Sequence, residues 1–172
     1  MKFDISAARH SASSINEKLE PIAHRPVDIN DPNWVQTLRN THPLDEAGVR
    51  QEAENLLRSL LEAYAAGDRS LRKSIRELLS ENSAFAWATG VPEPATTYEG
   101  FRWRLLRMSA LDQAQELRDA VLMLNELCIN AKSAGIDAGA VLDEIAALSG
   151  DTATSSFGSL RDIFLHARVR WG

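Results

Sequence analysis

Four histidines, one cysteine and 24 carboxylates are the side chains able to ligate a metal, attack a carbon or move a proton. The histidines, His10, His24, His42 and His166, never stand three or four residues apart, so no helix face offers two imidazoles to one metal ion. Asp162 and His166 are four apart, which reads as a charge pair on one helix. His42 beside Asp45 and Glu46 reads as a loop histidine ahead of acids that offset a helix dipole. Cys128 is alone, which excludes a disulfide within the chain, and it falls on an apolar stripe where a thiol is buried and inert. The sequence contains no G-x-S-x-G, no G-x-x-x-x-G-K-[ST] and no G-x-G-x-x-G. No metal, no cofactor and no enzymatic activity are expected; a pocket between helices that uses scattered Asp, Glu and His without a linear motif is the enzymatic alternative.

Charge is segregated along the chain. Arg102, Arg104 and Arg107 stand within 101–107 without an acid, and Arg161, Arg168 and Arg170 follow near the end. Asp112, Glu116 and Asp119, four and three residues apart, form one acidic stripe on a helix. Such charges are either a solvated face paired with the arginines, or a docking surface that sets partner choice and association rate. Trp103 separates the two readings. At 100° per residue it lies about 200° from Phe101, so either a second layer of helices covers it or it is exposed among arginines, as interface anchors are. The candidate partner-binding residues are therefore Asp112, Glu116, Asp119, Trp103, Arg102 and Arg107. Regulatory binding of nucleic acid through the Arg-rich helices is the competing reading, and a net charge of −5 counts against it.

Those residues must be held by helices, because every long apolar pattern repeats at three and four residues. Residues 1–30 read as an arm with one short helix, opened by the capping-box pair Ser14 and Glu17. Asp31-Pro32 predicts a short helix carrying Trp34, Val35 and Leu38, broken at His42-Pro43. A long helix is predicted over 45–66, closed by Gly67 in the left-handed conformation, with Asp68 capping the next one. Phe85 to Ala88 reads as a loop with an aromatic anchor, and Thr96 with Glu99 opens a helix. The helix starting near Asp112 carries Leu117, Leu124 and Cys128, widened by Leu122, Met123 and Ile129 into the stripe of a central helix contacted from several sides. Helices from Asp137 and from about Ser156 complete the chain. The expected fold is all-α, a single-domain bundle of six or seven helices over 31–172 with the arm at 1–30.

The runs LLRSLLEAYAAGDRSLRKSIRELLSENSAFAW (56–87) and YEGFRWRLLRMSALDQ resemble small helical bacterial proteins of the toxin-immunity type, encoded beside polymorphic toxin genes. The resemblance spans about 45–170 and implies a cytoplasmic, non-catalytic protein whose partner is a cognate toxin, held by plugging the toxin's active site. No window reaches the ~18 apolar residues that a membrane span needs, and 1–14 lacks an apolar signal core, so no membrane is expected and the expected address is the cytoplasm.

Overall fold

The computed structural model describes residues 2–111, 117–149 and 159–172. Among the described residues all regular structure is helical: α1 (Ile5–Ala23), α2 (Trp34–Asn40), α3 (Pro43–Glu46), α4 (Arg50–Ala66), α5 (Arg69–Glu81), α6 (Ser83–Ala88), α7 (Tyr98–Leu111), α8 (Leu117–Ser133), α9 (Gly139–Leu148) and α10 (Leu160–Trp171). Seven of the eight longer elements, all but α2, pack into one all-α bundle, and no described helix is long and apolar enough to cross a membrane.

The first segment is more than an arm. Asp4 caps α1 by accepting from the Ala7 amide, and Ala8, Ala12, Ile15 and Leu19 bury one face against α3, α4, α5 and α6. Ser14 and Glu17 thus lie inside a helix rather than at its start. The buried face is half alanine, which lets backbones approach closely while leaving little apolar signal in the sequence. Asn16 adds a polar tie: its Oδ1 accepts from the Phe85 amide at 3.0 Å. That amide is one of the orphan donors at the start of α6, so α1 caps α6 across the fold. Phe85 to Ala88 is accordingly helical rather than a loop, with Phe85 fully buried and Trp87 exposed.

Gly48 at φ +67° splits the long helix expected over 45–66 into α3 and α4. Val49 and Ala53, then Leu57, Leu60, Leu61 and Tyr64, form the core stripe that follows. Gly67 is extended (φ −79°, ψ 162°), not left-handed. A glycine is still required there, because a Cβ would sit 2.6 Å from the Ala63 carbonyl oxygen. Asp68 caps α5 through the Leu71 amide. Thr97, one residue beyond the expected Thr96, caps α7 through the Gly100 amide. At α10, Ser159 and Asp162 form a reciprocal capping box, three residues later than the predicted start.

The central helix is α7. It packs on α4, α5, α8 and α9, and Phe101, Trp103, Leu105, Leu106, Met108, Ser109 and Ala110 are buried around its whole circumference. Ser109 anchors a polar chain through this core: its Oγ lies 2.8 Å from Tyr64 Oη and 2.6 Å from Ser149 Oγ, and Arg76 donates to Tyr64 Oη at 2.7 Å and to the Leu148 carbonyl at 3.0 Å. Four helices are thereby joined with their hydroxyls satisfied.

Helix α8 is not central. It packs chiefly on α7 and α10 through Ala120, Leu124, Cys128 and Ala131, while Val121, Leu122, Met123 and Ile129 are exposed. No residue of 24–42 is fully buried, Trp34 being half-buried, and α2 packs substantially on no other helix. The folded surface, 9879 Å², exceeds the roughly 8,400 Å² that size scaling assigns to a chain of 19.0 kDa. The one-sided burial of α8 predicts unequal truncation effects: Leu124→Ala should lower the urea-unfolding free energy by about 2–5 kcal/mol, and Ile129→Ala by less than about 0.5 kcal/mol.

Candidate functional site

Three of the six expected partner-binding residues are engaged inside the fold. Trp103 is only 6% exposed; it packs beside Leu57 and Leu61, with its Nε1 donating to Glu99 at 3.2 Å. It is a core residue, and it leaves the docking surface. Arg102 stacks on the Trp103 ring at 5.5 Å and forms a two-point ion pair with Glu144, at 2.9 Å from Nε and 2.5 Å from Nη2. Glu144 raises the Arg102 pKa, which ties α7 to α9.

Arg107 donates to the carbonyls of Thr89 (2.9 Å) and Ala86 (2.6 Å), and Arg104 to those of Glu93 (2.6 Å) and Gly100 (3.1 Å). Burial pushes both guanidinium pKa values down. Carbonyl dipoles take the place of carboxylates for these cations. The two side chains thus staple the loop 89–94 onto α7, which is where the basic run of the sequence finds its use. Arginines committed to carbonyls in this way are poorly placed to neutralise phosphates.

The acidic stripe is represented by Asp119, exposed in the first turn of α8, where a carboxylate also favours the helix dipole. Asp112 and Glu116 lie outside the described residues. Cys128 is buried on α8, and loss of solvation raises its thiol pKa to about 11. Among the described residues no group of three or more His, Cys, Asp or Glu is arranged to hold a metal ion.

What the fold does leave outward is a ridge on α8. Leu122 is 58% exposed and Ile129 51%, one above the other at a seven-residue step, with Val121 and Met123 to either side. At about 100° per residue, Asp119 and Glu126 fall some 40–60° to one side of Leu122, and Arg118 and Asn125 a similar angle to the other. Toward α10 the ridge drops into a groove of about 600 Å³, lined by Arg118, Val121, Leu122 and Asn125 from α8 and by Asp162, Ile163, His166, Ala167 and Arg170 from α10. The Trp171 indole donates to Asn125 Oδ1 at 3.2 Å, and Lys132 stacks on its ring at 6.0 Å. These contacts set the C-terminal end of α10 level with the middle of α8.

Leu122, Met123 and Ile129, expected in the core because apolar side chains in a helix suggest burial, lie in water instead. The contrary signal was present. Glu126 stands four residues after Leu122 and three before Ile129, so a charge shares their face and must reach water.

Comparison with protein-family models, curated proteins and solved structures finds no match for this chain.

Two measurements follow from the inward arginines and the buried thiol. Arg107→Ala should lower stability by about 2 kcal/mol or more in thermal unfolding, because it strips the donor from buried carbonyls. Cys128 should resist a disulfide-exchange reagent in the native protein and react at once in denaturant.

Proposed function

We infer that this chain is a non-catalytic binding protein that acts by occupying a partner protein, in the manner of toxin-immunity proteins. One observation carries the reading: α8 holds an apolar ridge in water, Leu122 and Ile129 with Val121 and Met123, edged by the exposed carboxylates of Asp119 and Glu126, which have no ion-pair partner among the described residues. An apolar centre with a charged rim is the anatomy of a protein interface, in which burial of the centre supplies affinity and the rim supplies rate and selectivity. The acidic edge suits a partner whose active site is basic, as in enzymes that handle phosphates. The resemblance of 45–170 to the toxin-immunity type gives the partner's class, a toxin encoded next to this chain, and the cytoplasm as the meeting place.

Nucleic acid is the weaker reading, since Arg102, Arg104 and Arg107 are engaged within the fold.

Co-expression with the product of the adjacent gene is the test. A one-to-one complex that relieves growth arrest by that product, weakened when Asp119 and Glu126 are changed to Lys, is the expected result. Undiminished arrest with no complex would overturn the reading.

A further inference from the structure

Most of the described arginines are engaged within the fold. Arg9, Arg25, Arg50, Arg58, Arg102 and Arg168 are ion-paired, and Arg72, Arg76, Arg104 and Arg107 donate to carbonyls or a hydroxyl. Among the described residues four arginines lack such a partner: Arg39 and Arg161 stand apart on exposed surface, while Arg118 is unpaired and Arg170 only stacks on Trp171 at 5.2 Å. Both line the groove between α8 and α10, where they meet an apolar floor of Val121, Leu122, Ile163 and Ala167.

The arrangement has a definite length and polarity. Arg118 to Asn125 on α8 and Ile163 to Arg170 on α10 are each seven residues, about 10 Å of helix. Trp171 lies level with Asn125, so Arg118 stands at one end of the groove and Arg170, with His166 a turn before it, at the other. Asp162 also lines the groove, and its carboxylate accepts from the Ser159 amide in the cap of α10. The trough is apolar in its middle and carries a guanidinium group toward each end, with the Asp162 carboxylate engaged at the cap of α10. Small Ala167 on the floor leaves room for a helix to approach.

We propose that this groove takes an acidic amphipathic helix of the partner protein, with carboxylates seven residues apart reaching Arg118 and Arg170 and apolar side chains at the third and fourth positions between them. Helices commonly dock this way, with anchors at three, four and seven residues laid into an apolar channel. The inference rests on the binding-protein reading and names the chemistry of the segment bound beside the α8 ridge.

The test uses the full chain and two fluorescein-labelled helical peptides of about 18 residues. One carries Glu-x-x-Leu-Leu-x-x-Glu in an Ala/Gln host; the other has Lys in place of both Glu. Fluorescence anisotropy should show the acidic peptide binding at least about tenfold tighter than the basic one. The double change Arg118→Glu with Arg170→Glu should invert that preference. Leu122→Gln, at an exposed position that does not support the core, should weaken binding about fivefold or more. Val169→Gln, on the outer face of α10, should leave it unchanged. Equal binding of both peptides, or binding indifferent to the arginine reversals in variants with native circular dichroism, would overturn the proposal. So would occupancy of the groove by dodecanoate but by neither peptide, which would make it a site for small amphipathic acids. A complex with the adjacent gene product that forms normally in the Leu122→Gln and arginine variants overturns the groove assignment and leaves the binding-protein reading standing. Peptide binding without any such complex supports the groove and overturns the toxin as partner.

Discussion

Burial of α7 on every side is the constraint on which the rest of the structure depends. A helix surrounded by α4, α5, α8 and α9 leaves its three arginines only partly in water. Each half-buried cation finds a fixed counter-dipole or counter-charge within the protein, which offsets the solvation it has lost. Arg102 finds Glu144 on α9, while Arg104 and Arg107 find the carbonyls of residues 86–100. The same side chains that look like a basic patch in the sequence therefore act as cross-links. They hold in place a loop that carries Gly90, Pro92 and Pro94 and lacks regular hydrogen bonding of its own.

The consequence reaches α8. With α7 already enclosed, α8 lies at the edge of the bundle and buries only the stripe of Ala120, Leu124, Cys128 and Ala131. Val121, Leu122, Met123 and Ile129 face water, together with Asp119 and Glu126, which have no ion-pair partner among the described residues. Structure and candidate function are linked at this point, because the ridge and the groove beside α10 exist where no other described helix covers them. The charges along the two edges differ, carboxylates on one side of Leu122 and guanidinium groups on the other. A partner is thereby offered a direction as well as an apolar contact.

Much of this was legible in the residues. Asp68 and the core positions Leu57, Leu60, Leu61, Tyr64, Ile75, Leu78 and Phe164 follow from periodicity and capping chemistry. Trp103 opposite Phe101 was a genuine sign of a helix covered from two sides, and the structure places its ring in the core. Three features escaped. Helix α1 buries alanines, whose small side chains give a weak apolar pattern. The break at Gly48 depends on a backbone conformation that a helical period running through it conceals. The outward face of α8 escaped because an apolar stripe does not say whether another helix lies on it; only the interleaved Glu126 indicated water. The candidate site moved accordingly, from Trp103, Arg102 and Arg107 to Leu122, Ile129, Arg118 and Arg170, while Asp119 kept its place at the edge.

Native-state hydrogen exchange of the free chain tests the central claim most directly, because it reads how deeply each helix is held. If α7 is the enclosed hub and α8 an edge helix, amides of 101–110 should exchange only through global unfolding. Those of 121–131 should open at a free energy lower by about 1–3 kcal/mol. Equal protection of the two helices, or slower exchange in α8 than in α7, would contradict this account of the fold and of the surface it leaves open.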